Sequence, residues 1–145
     1  MFIRLFEDNP NTREILKVVE ILEKGGVIIY PTDTVYAIGC DIYNVKAVQR
    51  VAQLKGVKPE KANFSMICRD LSNISEYAKV GNEVFKAMKR ALPGPFTFIL
   101  NATSKLPNVL MNRRKTIGIR VPDNPIVMAI VEELGHPLLT TSVRD

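Results

Sequence analysis

The segment from residue 26 to residue 40, GVIIYPTDTVYAIGC, constrains the fold more than any other part of the chain. The apolar run from Val27 to Tyr30 is typical of a strand, and because it does not alternate with polar residues we expect it to be buried on both faces. Pro31 ends that strand, a cluster of hydroxyls with one carboxylate follows, and the chain then returns to an apolar run as far as Cys40. Polar groups at the end of a strand are held rigidly while they still face solvent or a ligand. This turn is therefore predicted to form one wall of a binding site.

Length and composition limit the class of protein to which this chain can belong. The chain has 145 residues, of which 46% are hydrophobic, so we expect a single domain over residues 1–145 with a substantial core. No run of about 18 apolar residues occurs, which predicts no membrane span, and residues 1–4 lack the pattern of a signal peptide. These features indicate a cytoplasmic protein without membrane partners, and they leave its oligomeric state open.

Cysteine content and net charge limit the kinds of ligand and partner that we expect this chain to bind. Cys40 and Cys68 lie in apolar strands, which favours buried, reduced thiols, and their spacing is not that of a metal site. We therefore expect no metal held by protein side chains. The net charge is +5, which favours phosphate-bearing partners but is equally compatible with plain solubility.

Periodicity, caps and breakers predict an α/β domain with a mixed sheet. Helices are predicted over residues 12–23, 45–54, 71–77, 82–92 and 125–134, with one helical turn at 107–111. Strands are predicted over residues 27–30, 35–40, 64–68, 96–100, 116–121 and 138–141. The helix over residues 45–54 is expected to carry Val48, Val51 and Leu54 on one side. Because the last strand is followed only by residues 142–145, we expect its edge to be unprotected.

Most catalytic motifs are absent from the sequence. His136 is the only histidine, so a Ser-His-Asp or Cys-His mechanism would depend on that one turn residue. Zinc-type spacings and glycine-rich phosphate loops are also missing. What remains is a set of hydroxyls and cations at the ends of predicted elements, namely Thr32, Thr34, Lys55, Lys58, Thr116, Arg120 and Ser142. If these ends converge, they would hold an anionic, polar ligand, whereas each residue taken singly is equally typical of a cap, a turn or a solvated loop.

Five segments of the chain resemble the YrdC/YciO-like superfamily, which has the threonylcarbamoyl-AMP synthase fold. In chain order they cover residues 30–36 (YPTDTVY), 54–56 (LKG), 93–98 (PGPFTF), 119–122 (IRVP) and, more weakly, 140–142 (TTS). Residues 63–71 and 114–118 are most similar to the YciO branch. The resemblance implies a YrdC-like twisted mixed sheet with flanking helices around a basic, concave cleft. It also implies that the chain lacks the C-terminal elements that are usual in the family.

The resemblance further implies a reaction and a set of site residues. Synthase members join L-threonine, bicarbonate and ATP, with Mg²⁺, into threonylcarbamoyl-AMP and pyrophosphate, which serves the threonylcarbamoyladenosine modification of tRNA. Carried over to this sequence, Lys55 and Ser142 would be the catalytic residues. The amino acid would be bound by Thr32, Thr34, Tyr36 and Arg120, with Arg120 on its carboxylate. The nucleotide would be bound by Lys55, Lys58, Thr116 and Arg144.

Three departures from the synthase pattern leave an alternative open. Val57 replaces the arginine of a Lys-x-Arg motif, Cys68 falls where synthases carry a histidine, and Arg144 replaces the asparagine of a Ser-x-Asn motif. The alternative is a YciO-like protein that binds double-stranded RNA or nucleotide without synthase activity. Its basic surface would include the run at residues 113–115, which consists of Arg113, Arg114 and Lys115. A fold retained for another small ligand is a third hypothesis.

Overall fold

A computed structural model describes residues 10–32 and 36–143 of the chain. These residues form four α-helices and a six-stranded sheet. The helices are α1 (Thr12–Glu23), α2 (Val45–Lys55), α3 (Asn82–Ala91) and α4 (Pro125–Leu134). The strands are β1 (Ile28–Pro31), β2 (Tyr36–Asp41), β3 (Ser65–Ile67), β4 (Phe98–Asn101), β5 (Thr116–Arg120) and β6 (Leu138–Ser142). The predicted mixed α/β class is confirmed.

The sheet has the strand order β1-β2-β6-β3-β5-β4. Only β3 and β5 run parallel, and every other neighbouring pair is antiparallel. Strands that are far apart in the sequence are therefore neighbours in the sheet. This order places β5 and β6, which carry the predicted site residues Thr116, Arg120 and Ser142, on either side of β3 in the sheet.

Two apolar cores lie on opposite faces of the sheet. The larger core contains Ile38, Met66 and Ile117 together with the buried side of α2. The smaller core contains Tyr30 and the buried sides of α1 and α4. Since successive residues of a strand point to opposite faces, neighbours in one strand divide between the two cores.

Asparagine caps explain where the best-predicted helices begin. The Asn11 side chain accepts hydrogen bonds from the Arg13 and Glu14 N–H groups at the start of α1. Asn124 does the same for Ile126 and Val127 at the start of α4, which then ends at Gly135 in the left-handed conformation. Both helices follow the expected pattern of a polar cap and a terminal glycine or break, and both predictions are confirmed.

The apolar side of α2 buries Ala47, Val48, Val51 and Ala52, whereas Leu54 near the end of the helix is 57% exposed. Three local predictions are wrong. The predicted helix at 71–77 shortens to a 3-10 turn at Ile74–Glu76, since the Asp70 side chain engages Ser72 in a tight turn before it.

The other two errors concern strands. The strand at β1 is not buried on both faces, because it pairs only with β2 among the described strands and Ile29 is 67% exposed. The last strand, β6, is not an unprotected edge, because it pairs with β2 on one side and β3 on the other. Within the described ranges, no helix combines the length and the apolar character that crossing a membrane requires.

Candidate functional site

A cavity of about 210 Å³ opens on the face of the sheet that also carries α1 and α4. Its wall is mostly small and polar, with one cation. The lining residues are Thr32, Ala37, Asn63, Ser65, Arg120, Thr140, Thr141 and Ser142. Three of the predicted site residues, Thr32, Arg120 and Ser142, therefore lie together.

Strand register explains why these residues meet. Ser65 of β3 lies opposite Thr140 of β6 on one side and Gly118 of β5 on the other. Ser142 lies opposite Ala37 of β2. Because directly opposite residues of neighbouring strands point to the same face, the short hydroxyl side chains form a continuous row across the sheet. Where α1 and α4 do not cover this row, it forms the floor of the cavity.

Lys55 reaches the rim of the cavity from the other side of the sheet. It is the last residue of α2, and its Nζ donates to the Ser142 carbonyl O at 2.8 Å. A lysine at this position is favoured by the negative end of the helix dipole. Gly56 then ends the helix in the left-handed conformation, with φ of 72°. The ammonium group is thus fixed beside the end of β6.

Tyr30 fixes a residue of the cavity wall, Thr140, through a buried hydrogen bond. Its hydroxyl donates to Thr140 Oγ1 at 2.6 Å, and both side chains are buried. Burial raises the pKa of Tyr30 well above its usual value, so the phenol stays protonated and keeps its donor role. The ring lies against Gly39, where a Cβ atom would come within 2.8 Å of Tyr30 Cε1.

Thr116 is linked to the cavity through asparagine side chains. The Asn112 amide donates to Thr116 Oγ1 and to Asn63 Oδ1, each at 3.2 Å, and Asn63 lines the cavity. The buried Asn112 also accepts from the Thr116 N–H at 3.0 Å. This network fixes the entrance to β5 beside the cavity wall.

Other predicted site residues lie elsewhere. Tyr36 is 61% exposed and is not part of the cavity lining. Lys58 lines a separate shallow groove on the outer side of α2. The three residues of the basic run, Arg113, Arg114 and Lys115, are exposed in the loop before β5. Thr34 and Arg144 fall outside the described residues.

The sequence analysis does not name as site residues four polar residues that line the cavity, which are Asn63, Ser65, Thr140 and Thr141. Ser65 carried a usable signal, since it alternates with the apolar Phe64 and Met66 in a strand. Thr140 and Thr141 lie within the last predicted strand and in the segment 140–142 that resembles the family, and Asn63 precedes β3. The sheet order brings all three to the site.

The remaining nucleophile and base candidates lie away from the cavity. His136 Nε2 is 3.5 Å from Asp41 Oδ1, at the opposite end of β2 and β6. Cys40 and Cys68 are buried free thiols, and burial raises the pKa of each to about 12. Neither thiol forms a thiolate near neutral pH, which is the form needed for nucleophilic attack. Among the described residues, no group of three or more His, Cys, Asp and Glu side chains is placed to hold a metal ion.

Comparison with known proteins defines the class of this chain. A family model described as "Sua5_yciO_yrdC: Telomere recombination" matches residues 20–145. The chain belongs to this Sua5/YciO/YrdC family. The predicted membership is thereby confirmed.

Individual relatives span two named branches. "Uncharacterized protein YciO" of Escherichia coli is 48% identical over 143 residues, which cover 98% of this chain and 69% of that protein. The crystal structure of E. coli YciO superposes with a TM-score of 0.90 and covers 97% of this chain and 68% of its own. A threonylcarbamoyl-AMP synthase of Halorhodospira halophila is 34% identical over 138 residues, 93% of this chain and 72% of the synthase.

A more distant structure shares the fold. P. abyssi Sua5, crystallised in complex with L-threonine, superposes with a TM-score of 0.88 at 23% identity. The match covers 98% of this chain and 42% of that one. The YrdC fold is therefore common to this chain, YciO and Sua5.

Proposed function

We propose that this protein is a threonylcarbamoyl-AMP synthase-like enzyme, which joins L-threonine, bicarbonate and ATP into threonylcarbamoyl-AMP and releases pyrophosphate. The observation that carries the proposal is that Thr32, Arg120 and Ser142 line one cavity, with the Lys55 ammonium at its rim. The 34% identity to a threonylcarbamoyl-AMP synthase supports the same reaction. The product would supply the modification of an adenosine in tRNA.

The cavity suits the amino-acid substrate. Its volume of about 210 Å³ is below the ~300–1,000 Å³ that is usual for larger ligands. The Arg120 guanidinium can bind a carboxylate through two parallel N–H bonds. The hydroxyls of Thr32 and Thr140 can accept from the ammonium group or exchange hydrogen bonds with the threonine hydroxyl.

The reaction needs positioning and charge neutralisation more than acid–base chemistry. The threonine amino nitrogen attacks the carbon of bicarbonate, and water leaves to give a carbamate. A carbamate oxygen then forms a bond to the α-phosphorus of ATP while the bond to pyrophosphate breaks. In this proposal Lys55 neutralises the triphosphate, which would arrive as its Mg²⁺ complex, and the Ser142 hydroxyl orients the carbamate.

Pyrophosphate release tests this function. The parent protein should release pyrophosphate only when L-threonine, bicarbonate and ATP are all present. Lys55→Ala should lower the rate by at least about a hundredfold, since it removes the charge opposite the phosphates. Lys86→Ala removes an exposed charge from α3 and should leave the rate unchanged. No turnover from a folded sample that binds ATP would contradict the proposal.

A second candidate function is binding of double-stranded RNA without synthesis of the adenylate. The Arg113 N–H donates to the Glu60 carbonyl O at 3.1 Å, so the exposed basic loop at residues 113–115 lies beside residues 58–61. Lys58 also lines the groove on α2, of about 710 Å³, with Lys46 and Arg50. The described lining of that groove contains no acidic and no aromatic residue. Cations without stacking rings favour contacts to a phosphate backbone over contacts to unpaired bases.

Salt dependence distinguishes this alternative. Double-stranded RNA binding should weaken steeply as salt rises, and replacing both Arg113 and Arg114 by alanine should reduce the slope of log K against log salt by about two. The charge-matched control replaces Lys86 and Lys89 on α3. Binding that is absent, or that has the same slope in both double variants, would count against this function.

A further inference from the structure

The outer edge of β4 carries backbone groups that point away from the sheet. The Ala102 N–H donates to the Lys115 carbonyl O on the β5 side, whereas the Asn101 carbonyl O accepts from the Lys79 N–H on the outer side. Backbone groups of successive residues in an antiparallel strand alternate between its two sides. The N–H and C=O of Ile99 therefore point outward, as those of Asn101 do. Within the described part of the chain, no strand pairs with Ile99 on this side.

A short segment already pairs with the far end of this edge. Ala78 forms an antiparallel bridge with Ala102, and the Thr103 N–H donates to the Tyr77 carbonyl O at 2.9 Å. The chain then turns away into α3, which begins at Asn82. The outer side of β4 is thus hydrogen-bonded at its end and open at Ile99, where an added strand would continue the same ladder.

The open part of the edge lacks the features that usually protect one. Edge strands are commonly protected by proline, by charged side chains or by a bulge. The other edge strand, β1, ends in Pro31, which has no N–H, whereas β4 contains neither a proline nor a charged residue. Ile99 is also 72% exposed, the largest exposed fraction among the described large apolar side chains. An unpaired backbone beside an exposed aliphatic side chain is a template for strand addition.

The two faces beside this edge differ in charge. Phe98 and Phe85 of α3 pack on the same larger core, so α3 lies on that face of the sheet and Ile99 points to the opposite face. The Lys89 ammonium lies 5.6 Å from the centroid of the Phe85 ring, which keeps this cation near the core side of α3. Exposed charged side chains of α3 comprise three cations and one carboxylate, namely Lys86, Lys89, Arg90 and Glu83. An added strand would therefore meet an aliphatic side chain on one face and a net positive charge on the other.

We propose that the outer edge of β4 is a docking site for an extended segment of a partner protein in which acidic and aliphatic residues alternate. Side chains of a strand alternate between its two faces. The aliphatic residues of such a segment would contact Ile99, its acidic residues would face α3, and its backbone would exchange hydrogen bonds with the Ile99 N–H and C=O. Ile99 is not part of the cavity lining, so docking here does not depend on the synthase activity.

Fluorescence anisotropy with a labelled synthetic peptide of sequence EVEVEVE tests this site. Ile99→Pro removes the outward N–H without removing a hydrogen bond to β5, and it should weaken peptide binding by about tenfold. Ile99→Ser keeps the N–H but loses the apolar contact, and it should weaken binding to a similar extent. The matched control is Ile29→Ser, because Ile29 is 67% exposed in the other edge strand, and it should leave the affinity unchanged.

Charge is tested separately. The peptide KVKVKVK should bind at least about tenfold more weakly than EVEVEVE, and the difference should shrink when Lys86 and Lys89 are both replaced by alanine. Equal binding of the two peptides to the parent would overturn the acidic preference.

The remaining outcomes decide whether the edge is a docking site. Urea denaturation establishes that each variant is folded, and Ile99→Ser alone decides if Ile99→Pro does not fold. Absence of peptide binding to the parent, or equal affinity in the parent and in Ile99→Ser, would overturn the proposal. A doubled molecular mass of the parent in sedimentation that Ile99→Ser restores to that of the monomer would assign the edge to a second copy of the chain and would also overturn it. Pyrophosphate release should be unchanged in Ile99→Ser, so failure of docking and failure of the proposed function are distinguishable.

Discussion

At the scale of single residues, the wall of the cavity depends on side chains that are fixed by a second group. The Ser142 carbonyl fixes Lys55, and the Asn112 amide fixes Thr116. Tyr30 connects the smaller core to Thr140 through its hydroxyl. Such pairs hold functional groups in place without an ordered ligand, which is what a site that works by positioning requires.

Tyr30→Phe should lower the free energy of unfolding by about 1–2 kcal/mol, because it removes the donor to the buried Thr140 hydroxyl. Urea denaturation measures this loss. Tyr36→Phe is the control, since Tyr36 is mostly exposed and its loss should be below about 0.5 kcal/mol. Equal effects of the two substitutions would show that the Tyr30 hydrogen bond contributes no stability.

The two buried thiols make stability depend on alkaline pH. The pKa of Cys40 and of Cys68 rises from 9.0 to about 12 in the fold. A raised pKa means that the native state binds the proton more tightly, so this contribution is complete below pH 9 and is lost as pH rises toward 12. The free energy of unfolding should therefore be lower at pH 10 than at pH 8.

Denaturation of the double variant Cys40→Ala, Cys68→Ala checks the source of that slope. The variant should be less stable at pH 8, because two buried side chains are truncated, but its stability should fall less between pH 8 and pH 10. An unchanged pH slope would assign the effect to other groups.

At the scale of elements, the row of small residues across β6, β3 and β5 allows the strands to form an open floor. Gly118 and Ser65 are the tightest pair in that row. Larger side chains there would force the two strands or their side chains apart. The fold and the site therefore depend on the same packing detail.

A double-mutant cycle tests this packing. Gly118→Ala should destabilise the parent by about 1–3 kcal/mol, because the new Cβ meets Ser65 Oγ. In a Ser65→Ala background the cost should be smaller, since only the Ser65 Cβ and Thr97 remain close. The difference is the coupling energy of the pair, and a coupling of zero would contradict the packing account.

Local sequence signals predicted elements better than they predicted the site. The asparagine caps of α1 and α4 and the strand at residues 116–120 follow from nearest-neighbour chemistry, and the structure contains them. The exposure of Ile29 and the central place of β6 depend on strand pairing between distant segments. No local pattern encodes that pairing, so the sequence predicts the meeting of Thr32, Arg120 and Ser142 only on the condition that the ends of distant elements converge. The same order adds Asn63 and Ser65 to the site.

At the scale of the whole molecule, one face of the sheet carries both the helices of the smaller core and the proposed binding site. The helices α1 and α4 cover part of it, and the cavity opens beside them. The basic groove lies on the outer side of α2, whose last residue reaches the cavity rim. A partner bound in that groove would therefore touch the loop that directly follows Lys55.

The most direct test of the central claim is calorimetric titration of L-threonine into the protein in the presence of ATP. We expect one site and an affinity at least about tenfold weaker in Arg120→Ala, because a charge-assisted hydrogen bond is lost. The affinity should be unchanged in Arg113→Ala. Threonine binding of equal strength in the parent and in Arg120→Ala would contradict the claim that this cavity holds the amino acid.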